Sequence, residues 1–145
     1  MLTEEKQIQE KERRSKLLHE DLTYKLIGLF FKIHTAIGCG FPERIYHKAI
    51  IVELIKERIG HLTEKLIKVK YDEKEVGTFR LDLIIEEKVI IEIKAVEYMP
   101  KIFKEQLLSY LKATEYEVGL LVNFGSAKLE YERIVPNESK NKINK

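Results

Sequence analysis

Two short segments in which apolar and polar residues alternate constrain the fold of this chain most strongly. Apolar residues occupy every other position of both segments: Phe79, Leu81, Leu83 and Ile85, then Val89, Ile91 and Ile93. Since side chains alternate between the two faces of a strand, both segments are predicted to be β-strands. A register that pairs Asp82 with Glu92 places all these apolar residues on one face, whereas a shift by one residue would move charges into the core. The pattern therefore predicts an antiparallel hairpin closed by Glu86-Glu87-Lys88.

The opposite face of this hairpin carries Asp82, Glu92 and Lys94. Opposed like charges destabilise a sheet, and a bound hard cation would remove the repulsion. Mg²⁺ prefers one or two carboxylates, several waters and a phosphate, and Lys94 lies where it could stabilise charge that develops on a phosphate or orient the attacking water. A solvated strand face with an ion pair between Glu92 and Lys94 is the alternative, and alternation alone leaves both interpretations open.

The rest of the chain predicts helices on either side of a sheet. Apolar residues recur at helical spacing over 22–37, and Gly38 and Gly40 end that helix; a second helix starts at Pro42 and ends at Gly60. Strand-like runs cover 66–71, 78–85, 88–95, 117–123 and 128–135, with a helix at about 100–114 between the third and fourth. The order α-α-β-β-β-α-β-β predicts an α/β fold of the α+β type, with a mixed central sheet flanked by helices.

Length and charge bound the domain organisation and the class of partner. The 145 residues suit one domain, predicted at 21–135, between a charged N-terminal helix or arm at 1–20 and a disordered tail at 136–145. Because 26 Lys and Arg residues nearly balance 24 Asp and Glu residues, a strongly basic nucleic-acid-binding coat is excluded, and nucleic acid would have to bind at a local site. No apolar run approaches the roughly 18 residues of a membrane span, and no secretory signal is visible, so we expect a cytoplasmic protein without a membrane partner.

Five short motifs follow one another along residues 22–135. They are residues 40–46 (Gly-Phe-Pro-Glu-Arg-Ile-Tyr), Arg80-Leu81-Asp82, Glu92-Ile93-Lys94, residues 106–111 (Gln-Leu-Leu-Ser-Tyr-Leu) and residues 119–125 (Gly-Leu-Leu-Val-Asn-Phe-Gly). In this order and at these spacings they resemble the GxxExxY protein family, within the PD-(D/E)xK nuclease superfamily. The resemblance implies a restriction-endonuclease-like core with a divalent-metal site at the hairpin.

The resemblance also implies roles for individual residues. Asp82 and Glu92 are similar to the metal-binding carboxylates, with Glu43 and the backbone carbonyl of Ile93 as further ligands, and the ion would be Mg²⁺ or Mn²⁺. Lys94 is similar to the active-site lysine of the superfamily. In the catalytic set we therefore place Lys94, Glu43, Asp82 and Glu92.

Four further residues are candidates for positioning the substrate. Gln106 and Tyr110 are similar to the helical Q-x-x-x-Y motif of RecB-like branches, and Tyr46 and Arg80 complete the set. Glu43 and Tyr46 lie three residues apart and Gln106 and Tyr110 four apart, so each pair shares one helix face. Each of these residues also has a purely structural alternative. Tyr46 and Tyr110 could be half-buried packing residues, Glu43 could be an acid at the positive end of a helix, and Gln106 could be an exposed helix residue.

One departure from the family pattern concerns histidine. Relatives often carry His three residues before the Gln, where this chain has Phe103. The histidines that the chain does contain have no Cys partners at zinc spacing, so we expect them to be structural or solvated; they are His19, His34, His47 and His61.

The motifs predict a metal-dependent nuclease that hydrolyses phosphodiester bonds, in DNA in preference to RNA. The alternative, favoured by Phe103 and the neutral charge balance, is a non-catalytic nucleic-acid-binding or assembly module that keeps the site as an inherited scaffold. A third hypothesis is that the charged arm at 1–20 docks a partner or builds a homodimer.

Overall fold

The predicted order of elements is confirmed. A computed structural model of the chain describes residues 3–136, except for the side chains of residues 11, 12 and 14–18. Within this part the elements are α1 (Glu4–Ile37), α2 (Glu43–Lys56), β1 (His61–Tyr71), β2 (Lys74–Ile85), β3 (Val89–Lys94), α3 (Lys101–Lys112), β4 (Val118–Asn123) and β5 (Glu130–Ile134). The first hairpin is longer than predicted, since β1 begins five residues before position 66 and β2 four residues before position 78.

Helix α1 begins well before the periodic segment at 22–37. Thr3 caps it, because its side-chain oxygen accepts a hydrogen bond from the backbone N–H of Lys6 at 3.3 Å, and two glutamates in the first turn face the positive end of the helix dipole. It ends at Gly38, whose φ of 71° is accessible to glycine at little cost. Of the two predicted alternatives for the charged N-terminal segment, a helix or an arm, the structure has a helix from Glu4 that continues into the periodic segment.

The five strands form one mixed sheet in the order β1-β2-β3-β4-β5. Strands β3 and β4 are parallel and the other neighbours are antiparallel; α3 makes the crossover that a parallel pair requires. Buried residues of α1 and α2 pack on one face of the sheet, and Leu107 and Leu111 of α3 pack on the other. Both faces of β3 and β4 are consequently covered.

The predicted register of the central hairpin is confirmed next to the turn, and the predicted face is wrong for Leu81 and Phe79. Leu83 pairs with Ile91 and Ile85 with Val89, and residues 86–88 form the turn. Phe79 and Leu81, however, pack on the α3 side of the sheet, opposite to Leu83. The physical reason is that strict alternation along β2 is interrupted at Asp82.

The interruption at Asp82 extends to both neighbouring strands. The β2–β3 pairing stops at Leu83, so Asp82 and Glu92 are not a ladder pair as predicted. On the other side, β1 pairs Thr63 with Leu83 and Lys65 with Leu81, and the residue between them, Glu64, has a φ of 51°. The sheet is thus locally distorted where the motif residues lie.

The predicted disordered tail lies outside the described residues except for Pro136. Among the helices that the structure describes, none is long and apolar enough to cross a membrane.

Candidate active site

Asp82 and Glu92 lie side by side where β2 and β3 separate. Glu92 Oε1 accepts a hydrogen bond from the backbone N–H of Asp82 at 3.3 Å, and Asp82 Oδ2 accepts one from the backbone N–H of Ile93 at 2.8 Å. The side chains thus take over the bonds that a continued ladder would have made, and this fixes both carboxyl groups at one point.

Burial dominates the electrostatics of this pair. It raises the pKa of Glu92 to about 8, with the charge of Asp82 as the second cause, while the backbone N–H of Asp82 and the charge of Lys94 oppose the rise. Burial likewise raises the pKa of Asp82, against the hydrogen bond from Ile93 and the charges of His47 and Lys94. Without a cation the pair therefore holds one proton at neutral pH.

Lys94 follows Glu92 on the same strand and is half-buried. Its ammonium nitrogen lies 4.4 Å from the centroid of the Phe103 ring of α3, a cation–π contact that fixes the side chain. Its charge acts on both Asp82 and Glu92. Phe103, the departure from the family pattern, thus has a definite role in this chain, because it seats the candidate catalytic lysine.

Helix α3 also brings the predicted Gln106 and Tyr110 to the site. The Tyr110 ring stacks on Phe79 of β2 with centroids 4.1 Å apart, and Gln106 lies one helical turn before Tyr110, close enough to act on the pKa of its hydroxyl. Burial raises the pKa of Tyr110, and the charges of Glu92 and Asp82 raise it further. Tyr110 is therefore close to both carboxyl groups, while the amide of Gln106 is exposed beside it.

Glu43 and Tyr46 approach from the opposite side, at the start of α2. Burial raises the pKa of the Glu43 carboxyl, followed by the charge of Asp82, and Lys94 lowers it, so Glu43 belongs to the same charge cluster. Tyr46 is fully buried; its hydroxyl donates to the carbonyl of Gly38 at 2.7 Å and accepts from the backbone N–H of Phe41 at 3.3 Å. Both bonds lie within the loop before α2, so Tyr46 fixes the position of Glu43, and a direct contact with substrate stays a prediction.

The model of the PD-(D/E)XK nuclease superfamily matches residues 20–134. The chain belongs to the PD-(D/E)XK nuclease superfamily. Membership of the GxxExxY family within it stays a prediction.

A solved structure has a similar fold. The chain is similar to the crystal structure of SSO0001, with a TM-score of 0.53 and 21% sequence identity over 92% of this chain and 66% of that one. It thus spans just under two thirds of that protein, and the similarity concerns the fold. No curated protein sequence matches the chain.

The donor set of Asp82 and Glu92 fits a divalent metal, as PD-(D/E)XK nucleases generally use. Two hard carboxylates at one point suffice for Mg²⁺, which keeps several waters and takes further oxygens from a phosphate. In the described part of the chain, however, no three His, Cys, Asp or Glu side chains form a group that could hold a metal ion. Glu43 is therefore near the pair without completing a three-ligand site, and its role as a ligand stays a prediction.

His47 is the residue that the sequence interpretation missed. Its charge is the first among the side chains that hold down the pKa of Asp82, and its Nε2 is buried without a hydrogen-bond partner among the described residues. The spacing of four residues from Glu43 could have indicated it, since the two share one face of α2. The imidazole therefore places a buried polar atom, unsatisfied within the described part of the chain, beside the carboxyl pair.

Asn123 and Gly125 of the last motif hold the end of β3, on which Lys94 lies. The buried Asn123 side chain accepts from the backbone N–H of Val96 and donates to its carbonyl, each at 2.9 Å. At Gly125 a Cβ atom would lie 2.3 Å from the nitrogen of Val96, so only glycine permits this close approach. Both residues thus position the strand that carries Glu92 and Lys94.

Proposed function

We propose that this superfamily member is a metal-dependent nuclease that hydrolyses phosphodiester bonds, in DNA in preference to RNA, with Mg²⁺ or Mn²⁺. The observation that carries the proposal is the buried pair of Asp82 and Glu92 with Lys94 beside it. A carboxyl pair kept at one point despite burial and repulsion has a physical purpose if a cation neutralises it.

Asp82 and Glu92 would hold the cation, with the carbonyl of Ile93 and the carboxylate of Glu43 as additional oxygen donors. When bound, a divalent cation lowers the pKa of water and offsets negative charge on a phosphoryl oxygen. The backbone N–H groups of Ile93 and Asp82 keep the two carboxyl groups in position throughout.

The other residues of the chain would act on the phosphate and the strand. Lys94, seated on Phe103, would orient the attacking water or stabilise the charge that develops on the phosphate. Tyr110 and Gln106 would position the strand from the α3 side, and Arg80, exposed on β2 two residues before Asp82, would contact a neighbouring phosphate.

Cleavage with matched variants tests this proposal. Purified protein with Mn²⁺ is incubated with labelled single-stranded DNA, duplex DNA and RNA, beside Asp82→Asn, Lys94→Met and the control Lys112→Met at an exposed position in the last turn of α3. We expect cleavage, strongest on DNA, that both site variants abolish and the control retains. Equal cleavage by all three variants would identify a contaminant and refute the mechanism.

The second candidate is a non-catalytic nucleic-acid-binding or assembly module. The observation in its favour is that, in the described residues, no three-ligand group stands ready for a metal. Isothermal calorimetry separates the two: binding of Mn²⁺ that Asp82→Asn abolishes supports the nuclease, and no binding at millimolar Mn²⁺ supports the module.

A further inference from the structure

We infer that one face of the β1–β2 hairpin binds the sugar-phosphate backbone of the nucleic acid on its way to or from the site. This inference rests on the proposed function and extends it from the cleaved bond to the flanking strand. We call this surface the arm face and define it by Leu66, Lys68, Lys70, Thr78 and Arg80.

The position of the arm face follows from packing on the other side of the hairpin. Ile67, Phe79 and Leu81 pack against the α3 side of the sheet, so the residues that alternate with them point to the opposite side. There Leu66 pairs with Arg80 and Lys68 with Thr78. Beyond a shift after Val69, Lys70 continues the row and pairs with Glu75.

The cations of the arm face are not used by the fold. All five residues are exposed, and none of the ion pairs found among the described residues involves Lys68, Lys70 or Arg80. Glu75 is the acidic residue paired across the strands on this side. Three exposed cations and a hydroxyl group thus lie on one side of an otherwise charge-balanced chain.

A phosphate backbone is the partner that this surface fits. Lys, Arg and Thr side chains supply most phosphate contacts in nucleic-acid complexes, and such contacts position a strand without reading its sequence. Arg80 precedes Asp82 by two residues, about 7 Å along a strand, and Lys68 lies in the next same-face pair of the ladder. The residues of the arm face therefore extend from the carboxyl pair towards the end of the hairpin. A nucleic-acid strand that continues beyond the cleaved bond would lie along them.

Charge reversal on the two faces of the hairpin tests the inference. Lys68→Glu changes the arm face, and Lys74→Glu makes the same charge change on the opposite face, where Lys74 pairs with Tyr71. Both positions are exposed, and circular dichroism melting verifies that both variants fold. Binding of labelled 20-nucleotide DNA and RNA is followed by anisotropy with Ca²⁺ across a KCl series. Cleavage with Mn²⁺ is measured on the same oligonucleotides and on bis(p-nitrophenyl) phosphate, which is too small to reach the arm face from the carboxyl pair.

We expect Lys68→Glu to weaken binding roughly fivefold or more and to reduce the slope of log K against log[KCl] by about one, since one phosphate contact is lost. KM for the oligonucleotide should rise while hydrolysis of the small diester stays unchanged, and Lys74→Glu should differ from wild type by less than about twofold. Equal effects of the two variants, or wild-type protein that binds no oligonucleotide, would overturn the inference. Binding that depends on Lys68 in a protein that does not cleave would uphold the arm face and refute the proposed nuclease activity.

Discussion

The buried carboxyl pair predicts that the metal-free protein loses stability as pH rises, and that Glu92→Gln removes this loss. Burial and the charge of Asp82 raise the pKa of Glu92 from 4.5 to about 8. Between these values the folded protein holds a proton that the unfolded chain has released. The stability contributed by that proton is complete below the unfolded pKa and disappears as pH rises through the folded one.

The size of the effect follows from the two pKa values. Over most of the window the free energy of unfolding falls by about 1.4 kcal/mol per pH unit, because one proton is bound in the native state alone. From pH 5.5 to 7.5 the loss is at most about 2.5 kcal/mol once partial titration at both ends is included. A glutamine keeps the geometry, since its carbonyl can accept from the N–H of Asp82 and its amide can donate to the Asp82 carboxylate.

Urea unfolding followed by circular dichroism, in EDTA at pH 5.5, 6.5 and 7.5, measures this directly. The wild type should lose stability across the series, and the Glu92→Gln variant should lose much less, so that it is the more stable protein at pH 7.5. The difference in stability between the wild type and the variant at each pH cancels the contributions of other titrating groups, including the buried His19. Wild-type stability that stays constant or rises, or an equal slope in the variant, would refute the assignment of the shared proton to this pair.

Two further substitutions test the surroundings of the site. Gly125→Ala should lower the free energy of unfolding by about 3 kcal/mol or more, because the new Cβ would lie 2.3 Å from the backbone nitrogen of Val96. Urea unfolding measures this loss. A loss below about 1 kcal/mol would show that the backbone segments at Gly125 and Val96 separate easily. His47→Ala should lower kcat for DNA cleavage about tenfold or more, because the imidazole lies close enough to Asp82 for its charge to act on that carboxyl group. An unchanged kcat would assign His47 to packing alone.

The order of the elements and the register next to the turn were predictable because they depend on periodicity. The runs that end in Ile85 and begin at Val89 alternate strictly, and the pairing of Leu83 with Ile91 follows from them. Leu81 was placed on the wrong face because the rule of alternation assumes an unbroken ladder. At Asp82 a side-chain oxygen, and not a backbone carbonyl, accepts the hydrogen bond from the N–H of Ile93. The pattern of residue types does not indicate such a replacement.

The candidate site was predictable in its members and less so in their roles. The motifs indicated Asp82, Glu92 and Lys94, and the structure brings all three together. The environment of a histidine depends on tertiary contacts, so the scattered positions of the four histidines gave no reason to select His47. Phe103 seemed only a missing histidine in the sequence, whereas its ring supports Lys94 from the neighbouring helix.

The hydrogen bonds that break the sheet also determine what the pair can bind. Asp82 Oδ2 and Glu92 Oε1 each accept a backbone N–H, which leaves Asp82 Oδ1 and Glu92 Oε2 as the oxygens without a backbone partner. Without metal the pair holds a proton, because burial and the charge of Asp82 raise the pKa of Glu92 to about 8, and a divalent cation would take the place of that proton. Proton and cation therefore compete, so affinity for metal must increase with pH over the window in which the metal-free protein loses stability. The distortion of β2 that made Leu81 unpredictable is thus the same feature that would place the two carboxyl groups to hold the proposed cation.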